Sequence, residues 1–239
     1  MSRTTLLVGA LAVVAVGALG ASLVPGAPAD RSMTPDPVVV AVAPAAASVE
    51  EPTSPAGDGG ADPAWVAETA ARTGVPARAV QAYAGATLRT SVEHRGCRLG
   101  WTTLAGIGQV ESGHGRGALG DDGRPVEPIF GPALDGSEGV AAIAATSASV
   151  AWHGDPRWDH AVGPLQFIPS TWAAWEVDAD GDGVADPHDL DDAALAAARY
   201  LCHDGRDLST ADGWTAAIFS YNHADVYVRA VHAAATSYR

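Results

Sequence analysis

One glutamate stands where a helix passes from buried to open. In the stretch TTLAGIGQVESGHG, Leu104, Ile107 and Glu111 are spaced by three and four residues and so share one helical face. The face that should enter a core therefore ends in a carboxyl group. Gly113, Gly115 and Gly117 follow closely and predict that the helix stops there. Partial desolvation and the negative end of the helix dipole both disfavour the ionised carboxylate. A carboxyl group that keeps its proton near neutral pH is a general acid in waiting. A solvated glutamate at a fraying helix end is the competing reading of this segment taken alone.

A second concentration of acid lies downstream. From Asp178 to Asp192 the chain reads DADGDGVADPHDLDD, seven aspartates in fifteen residues. That much like charge is repulsive unless a cation neutralises it. Asp178, Asp180 and Asp182 occupy positions 1, 3 and 5 of an EF-hand-like loop, with Gly183 at the sharp turn and Val184 offering its carbonyl at position 7. Asp186 falls at position 9 and Asp189 at position 12, where the longer Glu is usual; a loop that ends at Asp192 is the alternative. The spacing predicts a structural calcium ion, against a solvated acidic turn. Nothing in the sequence predicts an organic cofactor.

Gly163-Pro164-Leu165-Gln166-Phe167-Ile168-Pro169-Ser170-Thr171-Trp172 reads as a turn leading into a helix. Its Gly-x-x-Gln-Phe-x-Pro-Ser pattern, some fifty residues after Glu111-Ser112, resembles the lytic murein transglycosylases, whose SLT-type domain has a goose-type lysozyme-like core. The VDADGDG run and the late Ser220-Tyr221-Asn222 resemble the membrane-bound-B branch of that family. The resemblance spans roughly residues 63–235. It implies that Glu111 is the catalytic acid/base, that Gln166, Phe167, Tyr221 and Asn222 line the glycan groove, and that Tyr227 is a nearby aromatic. It also favours Asp192 as the last calcium ligand. Pro164, Leu165 and His223 depart from the commoner residues of related enzymes. Asn222 stands out independently as the only Asn in the chain; its amide suits a sugar acetamido group, and a helix N-cap before His223 is the plainer alternative.

The resemblance implies cleavage of the β-1,4 bond between N-acetylmuramic acid and N-acetylglucosamine in peptidoglycan, without water, leaving 1,6-anhydromuramoyl ends. Ordinary glycosidases set two carboxylates across the scissile bond. Here only Glu111 lies on a protected face, while Asp155, Asp159 and Glu138 fall in polar loops. One acid is enough if the substrate's acetamido oxygen supports the cationic centre and its 6-hydroxyl closes the ring. A hydrolytic muramidase on the same fold and an inactive peptidoglycan-binding scaffold for other cell-wall enzymes are the rivals.

These residues need elements to hold them. Periodicity and capping signals predict helices at about 63–73, 76–94, 100–112, 169–176, 191–203, 210–221 and 223–236. Residues 113–162, rich in Gly, Asp, Pro and Trp, read as loops with a short helix near 139–151. Trp172 and Trp175 suit core packing better than a groove, Trp158 suits either, and His114 and His223 read as structural or solvated. The class is mainly α, a lysozyme-like (goose-type) single domain over 62–239 with an EF-hand-like calcium loop. Asp62 and Pro63 supply a helix cap and first turn, and Gly74 a stop.

Upstream, the uncharged apolar run 5–24 follows Arg3, and Ala27-Pro28-Ala29 offers a cleavage site, so 1–29 reads as a signal peptide or a membrane anchor. Residues 30–61, rich in Pro and Ala, read as a disordered linker. An exported chain sits in the cell envelope, secreted or tethered through 5–24. Its partners would be peptidoglycan glycan strands and, further, other cell-wall enzymes, with membrane contact only through that segment. In an oxidising compartment Cys97 and Cys202 should pair, closing a loop worth about 4–5 kcal/mol in the chain-entropy model. Two free thiols are the alternative, and a zinc site lacks close ligand spacing. The chain has 239 residues, 14 basic (all Arg) against 28 acidic, and a net charge of −14. Such a surface argues against nucleic acid, which binds through Lys and Arg. An apolar share of 47% argues against a chain disordered throughout.

Overall fold

The computed structural model describes residues 51–52, 60–137 and 140–239. Eight helices and one two-stranded sheet make up these residues, in the order α1 Pro63–Thr73, α2 Ala77–Glu93, α3 Trp101–Arg116, β1 Phe130–Ala133, α4 Ser147–His153, β2 His160–Val162, α5 Pro169–Trp175, α6 Leu190–Cys202, α7 Ala211–Tyr221 and α8 Asp225–Ser237. The mainly helical class and the helix order match the sequence expectation, and the boundaries of seven helices agree within about two residues except at the end of α3, which runs to Arg116 where 112 was expected because a non-helical turn follows Ser112. The short helix predicted near 139–151 begins later, at Ser147, because Thr146 caps it through a capping box with Ser149.

Local chemistry explains the start of the domain. Asp62 accepts from the Ala64 and Trp65 N–H groups, Pro63 occupies the first helical turn, and Gly74 closes α1 with a left-handed φ of 75°. Pro52 and Ala61, within the stretch read as linker, are both buried. The apolar run 5–24 and the expectations placed on it lie outside the described residues, as does Glu138. Among the described residues no helix is long and apolar enough to cross a membrane.

The core forms around α6. Its run from Ala193 to Ala198 is buried without interruption, with Leu190, Leu195 and Leu201 filling the space between neighbours. A helix that is small and apolar on every side can be surrounded, and α6 meets α2, α5, α7 and α3. Helix α3 packs chiefly along α8 and also against α2. The strands pair antiparallel with an irregular register between Phe130 and Ala133. Val162 also bridges back to Phe167, which closes the turn that carries Gln166.

Cys97, just before α3, is bonded to Cys202 at the end of α6, with Cα atoms 5.4 Å apart and a sequence separation of 105. The pairing expected from the sequence is present. It joins the entry of the glutamate helix to the exit of the helix that follows the acidic loop.

Candidate functional site

Helix α3 delivers Glu111 to the domain surface. The whole stretch from Trp101 to Gly108 is buried beneath it, the face of Leu104 and Ile107 together with the others. Regular helix ends at Ser112. Gly113, His114, Gly115, Arg116 and Gly117 then take φ values of 61°, 59°, 76°, 57° and 68°, a full turn of left-handed backbone. Three of these five are Gly, for which that region is accessible; each of the other two costs about 1–2 kcal/mol. The Ser112 hydroxyl donates to the Pro164 carbonyl at 2.7 Å and accepts from the Gly115 N–H at 2.8 Å. The helix end is thereby fastened to the 163–167 turn.

Glu111 keeps a partial opening to solvent. Burial pushes its pKa up to about 8, and a hydrogen bond from Tyr227 works in the opposite sense. The Tyr227 hydroxyl, on α8, donates to Glu111 Oε1 at 2.5 Å. Burial, then the charge of Glu111, hold the Tyr227 phenol well above its usual pKa, so it stays a neutral donor. Tyr221 stacks parallel to Tyr227 with ring centroids 6.4 Å apart, and its hydroxyl donates to the Leu165 carbonyl at 2.9 Å. Phe167 meets Tyr221 and Trp172 edge-on. The three segments singled out in the sequence, around Glu111, Gln166 and Tyr221, thus converge on one wall.

Within that wall the residues divide by exposure. Phe167, Tyr221, Asn222 and Tyr227 are buried, whereas Gln166 is half-buried. Gln166 adopts φ 52° and its side-chain amide donates to the Gly163 carbonyl at 2.9 Å. Asn222 closes α7, its N–H bonded to Ile218 O and its carbonyl accepting from Ala224 N–H; it does not cap the next helix, where Ala224 holds that position. Trp172 is buried as expected, and Trp158 and Trp175 are half-buried. His114, expected to be solvated or structural, is structural and buried.

Of the candidate second acids, the two that are described, Asp155 and Asp159, are engaged elsewhere. Asp155 accepts from the Arg157 and Trp158 N–H groups and faces His160, which together hold its pKa down to about 2. Asp159 is buried against His153, 3.3 Å from its Nε2.

The acidic loop resolves into two groups. Asp178, Asp180 and Asp192 each place a carboxylate oxygen within 4.8 Å of the others. Asp192, wholly buried, accepts from the Ala179 and Asp186 N–H groups at 2.6 and 2.9 Å. Asp182, Asp186 and Asp189 turn instead to Arg124, at 3.1, 3.1 and 3.4 Å. Asp189 also caps α6 by accepting from the Asp191 N–H, and Val184 is exposed. Three of the six expected ligands therefore converge, and Asp192 rather than Asp189 joins them. A buried carboxylate beside two others, all hard oxygen donors, fits a calcium ion. Sequence reasoning missed Arg124: it lies in a Gly-Asp-Asp-Gly-Arg turn, far from the loop it neutralises. The excess of acid in the loop called for a cation, but could not say that a side chain supplies part of it.

Residues 155–216 match the family model described as Transglycosylase SLT domain. The matched stretch holds the Gln166 turn and the acidic loop, begins after Glu111 and stops before Tyr221. No curated protein and no solved structure matches the chain. The domain match supports a peptidoglycan-cleaving transglycosylase with peptidoglycan as its substrate.

Proposed function

We propose that this protein is a lytic murein transglycosylase of the membrane-bound-B-like branch. It cleaves the bond between N-acetylmuramic acid and N-acetylglucosamine and leaves 1,6-anhydromuramoyl ends. The observation that carries the reading is the Glu111 carboxyl: burial pushes its pKa up to about 8 while Tyr227 holds Oε1. At neutral pH such a group is a proton donor.

With Oε1 held, Oε2 carries the proton to the leaving glycosidic oxygen. The substrate's acetamido oxygen supports the cationic C1, which fits a site where Asp155 and Asp159 are engaged elsewhere. Glu111, now a carboxylate, takes the proton from the sugar's 6-hydroxyl as that oxygen bonds to C1. Atoms and charge balance, and Glu111 ends as it began. Gln166 keeps a face for the sugar, while Phe167, Tyr221 and Tyr227 form the wall behind it. Asn222 belongs to the same wall. Asp178, Asp180 and Asp192 would hold a calcium ion that neutralises the loop leading into α6, a structural role. The chain acts outside the cytoplasm, in the envelope, where Cys97 and Cys202 can pair.

Mass analysis of soluble products from purified peptidoglycan tests the reading. Anhydro products are lighter by one water than reducing ends. Anhydro products lost in E111Q are expected; reducing ends would make the protein a muramidase, and binding without any release would make it a scaffold.

A further inference from the structure

His114 is a buried side chain, bonded at both ring nitrogens, that the proposed reaction does not use. It sits in the left-handed turn with φ 59° and ψ 49°, two residues past the end of the regular helix, and is 4% exposed. A non-Gly residue in that region needs surroundings that hold it there. Those surroundings are two phenols: Nδ1 lies 3.1 Å from the Tyr83 hydroxyl of α2, and Nε2 lies 3.1 Å from the Tyr238 hydroxyl just past α8. Tyr238 in turn donates to Gln109 Oε1 at 3.2 Å. Gly108 makes room for the arrangement, since a Cβ there would collide with the Tyr83 hydroxyl.

The directions of these bonds follow from the donor inventory. Gln109 Oε1 can only accept, so the Tyr238 proton points to it. Tyr238 then accepts from His114 Nε2–H, which leaves Nδ1 to accept from the Tyr83 O–H. The chain runs Tyr83 to His114 to Tyr238 to Gln109 and uses a neutral imidazole with one defined tautomer. Burial lowers the His114 pKa to about 4 and raises the Tyr83 pKa, so each member keeps the state the chain requires at neutral pH.

Resting on the transglycosylase reading, we infer that His114 is a positioning residue: it pins the last turn of α3 between α2 and the C-terminal end of α8, and so fixes the Glu111 carboxyl against Tyr227. Gln109 precedes Glu111 by two residues and Ser112 follows it, so the glutamate is held on both sides. Misplacement of a reacting group by about 1 Å can cost a hundredfold in rate.

The test uses the full chain and its variants H114F, H114Q and Y238F, assayed on purified glycan strands between pH 5 and 9, with folding followed by circular dichroism. The groups that titrate around the pair are Tyr83, Tyr238, Tyr227 and Tyr221. H114F should fold, lose about ten- to a hundredfold in kcat with KM little changed, and shift the alkaline limb that Glu111 sets. H114Q, which keeps an acceptor and a donor on one planar group, should recover most of the loss, and Y238F should resemble H114F in kind. Folded H114F with parental kcat and parental pH profile overturns the inference. So does an H114F loss that follows the unfolded fraction alone and that H114Q fails to rescue. If the parent releases no anhydro product, the reaction assignment has failed; if the parent cleaves and H114F cleaves equally well, only the role of His114 has.

Discussion

The molecule gathers carboxyl groups in two places and surrounds them differently. At the end of α3, Glu111 has a phenol for a partner and, among the described residues, no cation, and burial pushes its pKa up to about 8. In the loop from Asp178 to Asp192, charge is met with charge and with dipoles: Arg124 gathers three aspartates, and backbone N–H groups bond to Asp178, Asp180, Asp182 and Asp192. The Asp182 carboxyl is held below its usual range, first by the Val184 N–H and then by Arg124, whereas burial pushes Asp189 up to about 7 and raises Asp192 as well. Dipoles and counter-charge prevail at Asp182, which is open to solvent, and burial prevails at Asp189 as it does at Glu111. What surrounds each acid separates chemistry from scaffold more clearly than the count of acids does.

Removing the isolated carboxyl should have the largest effect. E111Q is expected to lower the rate of glycan cleavage by about 10²–10⁴-fold, the range for loss of a general acid/base. Its stability should go the other way. The folded-state pKa of Glu111 lies above its ordinary value of 4.5, so the folded form holds the extra proton between the two. Parental stability from this group is whole below about pH 4.5 and is lost as pH rises toward about 8. Thermal melts at pH 5 and pH 8 should therefore show E111Q less sensitive to pH than the parent.

Next in size is the cross-link that serves both regions. Replacing Cys97 and Cys202 by serine should cost about 4–5 kcal/mol in the chain-entropy model, read by urea unfolding. The acidic loop supplies the third comparison. If Asp178, Asp180 and Asp192 hold calcium, chelation should lower the melting temperature by roughly 5–10 °C, equivalent to about 2.7 kcal/mol at a hundredfold excess over Kd, and added calcium should restore it. D192N should abolish that response. No calcium-dependent shift would leave Arg124 and the backbone as the loop's sole neutralising groups.

The smallest expected effect sharpens the Glu111 side. The hydrogen bond from Tyr227 lowers the pKa of Glu111, so Y227F should move the alkaline limb of activity to higher pH. A fall in kcat of about three- to tenfold should accompany it, the worth of one hydrogen bond.

Much of this was legible in the sequence because it is local. Asp62, Pro63 and Gly74 mark both ends of α1, and the spacing of Leu104, Ile107 and Glu111 names a buried face of α3. Alternating glycines announce where that helix stops. What escaped was decided by groups distant along the chain. Tyr227 read as an aromatic near the groove, yet its hydroxyl reaches a residue 116 positions away. His114 read as structural or solvated, and its structural role could not be specified because its two phenol partners come from the first and last thirds of the domain. Asp189 and Asp192 are three apart and equally acidic; only the start of α6 decides that one caps the helix while the other turns back to Ala179. Phe167 and Tyr221 carry the expected motif but face inward, a choice that packing against Trp172 and Tyr227 makes.

The central claim is that Glu111 holds its proton at neutral pH, and its titration tests that claim most directly. Carboxyl ¹³C NMR of glutamate-labelled protein, with E111Q as the difference that isolates one signal, should give a midpoint near pH 8. A midpoint at the ordinary glutamate value of 4.5 in the folded domain would contradict the account.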